Sequence, residues 1–164
     1  MKISVFIISL AFIATAASAQ TIPLYTFPEF EARFLKSGSK KYVLNYWATW
    51  CKPCIKELPF FQAAYTDNKD PEIEFILVSL DEPNMVNTKI PNLLKKNNIS
   101  IPCVLLNDSH YNDWIPKVST EWSGAIPATQ IVFGPKNVFV EKSFYSSDEL
   151  IRFINESYQI IYKK

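Results

Sequence analysis

Between Tyr42 and Tyr65 the chain changes period within a few residues. Tyr42-Val43-Leu44-Asn45-Tyr46-Trp47 is nearly continuous in apolar and β-prone residues, the pattern of a strand covered on both faces. From Ile55 onward the apolar residues recur at helical spacing, with Ile55, Leu58, Phe61 and Tyr65 on one face and Pro59 as the expected site of a kink. At the changeover stands Trp50-Cys51-Lys52-Pro53-Cys54. A strand feeding a helix through a tight turn leaves the first helical N–H groups unpaired and a positive dipole end facing the turn. Two cysteines three apart in that place therefore point to thiol–disulfide chemistry.

The N-terminus narrows where such chemistry would run. Met1-Lys2, an apolar run from Ile3 to about Ala14, and the small residues Ala17-Ser18-Ala19 read as a charged n-region, a short h-region and a cleavage site, against the alternative of a retained anchor. Residues 1–19 are expected to be a secretory signal and residues 20–164 a single domain, with no retained membrane span. A formal net charge of +1 with acids and bases interspersed offers no basic face for nucleic acid. Export permits structural disulfides, yet the chain has only Cys51, Cys54 and Cys103. The odd count argues for one working pair and a leftover thiol rather than a disulfide scaffold. Cys103, in Ile101-Pro102-Cys103-Val104-Leu105-Leu106, reads as a packed residue of a buried strand.

The remaining pattern alternates strand and helix. Thr26-Phe27-Pro28-Glu29 is a capping box with an early proline, predicting a helix from about Phe27 to Lys36, ended by Ser37-Gly38-Ser39. Ile73 to Leu80 predicts a second buried strand, and Met85 to Asn97 a helix interrupted by Pro91. Asn107 to Ser123 is polar and aromatic by turns and yields no clear element. Ala128 to Phe133 and Val138 to Val140 flank a Gly134-Pro135 turn as a hairpin, and a final helix capped by Ser146 or Ser147 buries Leu150, Ile151, Ile154 and Tyr158. This order implies right-handed crossovers and a largely parallel sheet.

With these elements in place, Val43 to Cys54 followed by Glu57-Leu58-Pro59 resembles the active-site segment of thioredoxin-fold proteins, and within them the exported TlpA/ResA-like disulfide reductases. Gly124-Ala125-Ile126-Pro127-Ala128-Thr129 is similar to the family's loop bearing a cis-proline. The resemblance implies a thioredoxin-like α/β fold with a mixed sheet of four or five strands flanked by helices and an insertion around Met85 to Ser123. It implies Cys51 as the exposed attacking thiol and Cys54 as the sheltered resolving thiol. Cys51 near pKa 8.5 would be only a few per cent thiolate at neutral pH; a fall of about 1.5 units makes it half thiolate, within reach of a helix N-terminus aided by Lys52.

Ile126 and Pro127 would offer backbone for an extended substrate segment, the alternative being an ordinary trans turn proline. Trp50 is either an exposed apolar contact beside Cys51 or a packed aromatic. Where thioredoxin has a buried aspartate, this chain has Asn45, as the reductase subfamily does. That subfamily's glutamate after the second cysteine matches Glu57, read as a proton-transfer group at Cys54 or as a solvated glutamate near the helix dipole. A metal site would have to draw on Cys103 and His110, both remote in sequence, so no metal and no cofactor is expected.

The expected partners are disulfide-containing proteins and, for a reductase in an oxidising compartment, a membrane-borne electron donor. The expected place is extracytoplasmic, periplasmic in a bacterium. An oxidase or isomerase using the same cysteines, and a non-enzymatic thioredoxin-like binding module, are the alternatives.

Overall fold

The computed structural model describes residues 21–36, 38 and 40–163, and the expected signal and cleavage site lie outside the described residues. Strands β1 (Leu24–Tyr25), β2 (Lys41–Trp47), β3 (Ile73–Ser79), β4 (Cys103–Leu106), β5 (Ala128–Phe133) and β6 (Lys136–Val140) form one sheet in the order β1-β4-β3-β2-β5-β6. The first four in that order run parallel, and β5 runs antiparallel to both of its neighbours, β2 and β6. The sheet thus has six strands where four or five were expected. The extra edge is β1, two residues after Pro23 whose pairing with Leu105 and Leu106 carries no local sequence signal.

All seven residues of β2 are buried, because alternate side chains enter two different cores. Val43 and Trp47 face helices α2 (Lys52–Asp67), α3 (Lys89–Lys96) and α5 (Ser147–Lys163), among Leu58, Phe61, Ile90 and Leu150. Tyr42, Leu44 and Tyr46 face α1 (Phe27–Phe30) and α4 (Tyr111–Val118), among Phe30, Phe34, Trp114 and Trp122. The second core is largely aromatic: Phe30 lies 5.1 Å from Phe34 and 6.2 Å from Tyr46, and Trp122 lies 4.7 Å from Tyr46.

Helix α1 begins as its capping box predicts, with the Thr26 N–H donating to Glu29 Oε2 at 2.9 Å. It then widens over Glu31–Leu35 into a π-helical turn, where the Lys36 N–H reaches the Glu31 carbonyl at 2.9 Å. Nothing in the apolar spacing marks that widening.

Helix α2 starts at Lys52, and the inward Cys54 sets its phase, so its buried apolar face is Cys54, Leu58, Phe61 and Ala64. Ile55 is half-buried and Tyr65 is exposed, contrary to their expected places on that face. The helix expected over Met85–Asn97 divides into a 3₁₀ turn at Pro83–Met85 and α3 from Lys89. This puts Pro91 in the first turn of α3, where a missing N–H costs no intrahelical bond. The stretch around Met85–Ser123 supplies α3, β4 and also α4, whose Trp114 stacks on Phe27 at 5.7 Å.

Phe30, fully buried, ties α1 to this aromatic core. Phe30→Ala is expected to cost about 3–5 kcal/mol of unfolding free energy, measured as a lowered urea midpoint at unchanged slope. A midpoint within error of the parent would mean that this core is not packed as described.

Candidate active site

The chain leaves the sheet at Trp47 and turns at once, the Cys51 N–H donating to the Ala48 carbonyl at 3.1 Å. Cys51 caps α2: the Cys54 N–H donates to Cys51 Sγ at 3.3 Å, while Pro53 occupies a first-turn position that needs no donor. Cys51 and Cys54 are joined by a disulfide with an S–S distance of 2.05 Å. Cys54 is fully buried and Cys51 only 5% exposed, so the attacking thiol expected to be open is itself mostly covered in the bonded state. Its sulfur is bonded to Cys54 on one side and lies 3.7 Å from the Ile126 carbonyl oxygen on another.

That second contact spans 75 residues of sequence and exists because of sheet register. Strand β5 pairs antiparallel with β2, setting Ala128 opposite Tyr46 and Thr129 opposite Asn45. The loop leading into β5 therefore arrives beside the loop leaving β2. The Ile126–Pro127 peptide is cis and Pro127 is buried. Gly124, at φ +94°, makes the turn into it, and the Trp122 indole N–H donates to the Ala125 carbonyl at 2.8 Å. Ser123 is held from β6's end, its hydroxyl and N–H both donating to Glu141 at 2.8 Å. Trp50 stands 64% exposed beside Cys51 in sequence, as an open apolar surface rather than a packed ring.

Glu57 is not a solvated helix residue. It is 1% exposed on the inner face of α2, where the Asn45 Nδ2 group donates to Oε1 at 2.8 Å and the Phe144 N–H donates to Oε2 at 2.9 Å. Burial pushes its carboxyl up from the usual range to about 7, outweighing the two hydrogen bonds that favour the anion, with a small further push from Glu149. Asn45 also reaches Thr129 Oγ1 at 3.4 Å, and its Oδ1 has no hydrogen-bond partner among the described residues. Cys54 and Glu57 sit one turn apart on the same buried face.

Other expected residues fall outside this site. Cys103 is a packed, free thiol on β4, pushed up to about 12 chiefly by burial. His110 lies in an exposed loop against Asp108 at 3.0 Å. Among the described residues no group of three or more His, Cys, Asp or Glu is placed to hold a metal, and no helix is long and apolar enough to cross a membrane. Two participants were not foreseen. The Phe144 amide that binds Glu57 is a backbone group with no sequence signature. Asp81, in the turn after β3, receives the Thr49 N–H at 2.9 Å just ahead of the cysteines.

A disulfide on the first turn of a helix, faced by a cis-proline loop across a mixed sheet, defines a thioredoxin-like protein. The fold matches that of a thioredoxin-related protein from Neisseria meningitidis serogroup B, with a TM-score of 0.61 and 21% identity, over 74% of this chain and 87% of that one. The chain belongs to the AhpC/TSA family, which matches residues 14–138. It is 45% identical over 47 residues to the thiol-disulfide oxidoreductase ResA of Oceanobacillus iheyensis, covering 29% of this chain and 24% of that one. It is 32% identical over 71 residues to the sporulation thiol-disulfide oxidoreductase A of Bacillus subtilis, covering 43% of each. The matches thus span less than half the length of these relatives.

Because the Glu57 carboxyl titrates near 7 when folded and near 4.5 otherwise, the folded protein holds an extra proton between those values. Its contribution to stability is present below that window and lost as pH rises through it. Glu57→Gln, compared with the parent by urea unfolding of the oxidised protein, is expected to be relatively more stable at pH 8 than at pH 5 by about 2 kcal/mol. An equal difference at both pH values would place the proton elsewhere.

Proposed function

We propose that this protein is an exported thiol–disulfide oxidoreductase that reduces protein disulfides through Cys51 and Cys54. The observation that carries the reading is the position of Cys51 Sγ, between the Cys54 N–H at the start of α2 and the Ile126 carbonyl of the cis-proline loop. In the dithiol form, the helix N-terminus favours the Cys51 thiolate, which attacks one sulfur of a substrate disulfide and expels the other as thiolate. The substrate chain lies against the Ile126–Pro127 backbone, with Trp50 as an apolar contact. Cys54 then gives up its proton, attacks Cys51 Sγ and releases the second substrate thiol. Two electrons pass to the substrate, two protons complete its thiols, and the Cys51–Cys54 disulfide remains.

Cys54 is buried, so its proton needs an acceptor inside the protein. Glu57 is our reading of that acceptor, supported by its burial one turn along α2 and a pKa raised to about 7. The signal-like character of residues 1–19 supports export, and a reductase acting in the periplasm or another extracytoplasmic place would need re-reduction, for which a membrane-borne electron donor is the reading. The names of the ResA and sporulation relatives support an oxidoreductase and leave its direction to the reduction potential.

Reduction of insulin in the presence of dithiothreitol is expected to be lost in Cys51→Ser, while Cys54→Ser accumulates mixed disulfides with substrate proteins. Equilibration with glutathione is expected to give a potential more negative than about −200 mV; a value near −120 mV would turn the reading to an oxidase. Glu57→Gln is expected to slow release of the mixed disulfide about tenfold or more at pH 7. A parent-like rate across pH would remove Glu57 from the mechanism. Failure of both the insulin assay and the trap would favour a binding module.

A further inference from the structure

The loop carrying Trp50 and Cys51 is held from beneath by a carboxylate that the chemistry above does not use. Asp81 follows β3 after one residue and is 6% exposed. Its Oδ2 receives the Thr49 N–H at 2.9 Å and the Ser79 hydroxyl at 2.9 Å, and its Oδ1 receives the Thr49 hydroxyl at 2.6 Å. The Asp81 N–H returns a bond to Ser79 Oγ at 3.1 Å, which fixes the carboxylate's own direction. One step earlier, the Leu80 N–H donates to the Trp47 carbonyl at 2.9 Å. Pairing between β2 and β3 is therefore carried beyond the last strand residues, first by backbone and then by a side chain that grips both polar groups of Thr49. Thr49 is itself 6% exposed, and the chain beyond it swings outward to Trp50.

We infer that Asp81 and Thr49 are positioning residues for Cys51. The inference rests on the reading of Cys51 as the attacking thiol. The clasp sets where the turn from Ala48 to Cys51 begins, and so sets how Cys51 Sγ sits relative to the Cys54 N–H and the Ile126 carbonyl. Stabilisation of an anion by a helix terminus falls off within one turn, and attack on a disulfide needs the sulfur correctly aimed. Loosening the clasp lowers both the thiolate fraction of Cys51 and its rate of attack without touching either cysteine.

The test compares Thr49→Val, which keeps the shape and removes the hydroxyl donor, with Thr49→Ser, which keeps the donor. The rate of Cys51 alkylation by iodoacetamide is followed against pH in the reduced full-length protein. Thr49→Val is expected to react about fivefold more slowly at pH 7, with the midpoint of its profile displaced to higher pH, and Thr49→Ser to stay within about twofold of the parent. A Thr49→Val profile superimposable on the parent's overturns the inference. Hydrogen exchange of the parent gives a second reading that needs no variant: the Thr49 amide is expected to be protected in both redox states, and exchange at the rate of an open loop also overturns it. If Cys51→Ser leaves insulin reduction intact, the proposed function falls. If Cys51→Ser is inactive while Thr49→Val matches the parent, only the positioning role falls.

Discussion

Strand β2 is paired along both edges and covered on both faces, and the placement of the site follows from that. Its parallel register with β3 brings Leu80 and Asp81 level with the end of β2. Its antiparallel register with β5 brings the Ile126–Pro127 loop to the same end. A slip of one residue would exchange the Val43 and Trp47 side chains with those of Leu44 and Tyr46, driving a face built for the α2 core into the aromatic core. It would also move Asn45 away from Glu57. The same burial that holds the sheet together thus fixes three separate segments around one turn.

The inner face of α2 carries a tension that the outer surface does not. Cys54, Leu58 and Phe61 pack as a hydrophobic helix face should, yet Glu57 lies among them, with Asn45 and the Phe144 amide as its hydrogen-bond donors among the described residues. Two neutral donors partly offset the loss of water, which is why burial raises the carboxyl pKa to about 7 and no further. Thioredoxin-like chains with an acid in the strand have that group beneath the cysteines. Here the strand offers an amide and the helix the acid, so the ionisable group rides on the same element as Cys54.

The features legible in the sequence were those whose cause is local. The double-sided burial of Tyr42–Trp47, the capping box at Thr26 and the helix start at the cysteine pair follow from neighbouring residues, while the cis Ile126–Pro127 peptide is what the family resemblance implied. What escaped notice depends on distant backbone. The edge strand Leu24–Tyr25 exists only because β4 is there to pair with it. Glu57 could be flagged as a candidate, but its burial depended on the Phe144 amide, 87 residues away. Asp81 was hidden for a different reason: an acidic residue after a strand, followed by Glu82-Pro83-Asn84, is ordinary turn chemistry. Its grip on Thr49 comes from strand pairing, and no short-range pattern reports that.

Cys103 gives the chain a third sulfur in the same core as the reactive pair, on the strand next but one to β2. Burial raises its pKa far enough that the group stays a thiol at neutral pH. Its sulfur is thus removed from competition by chemistry as well as by packing. In the proposed reaction, a mixed disulfide on Cys51 would then have one intramolecular exit, through Cys54, and a two-electron cycle could be repeated without the cysteines shuffling into a dead-end pairing.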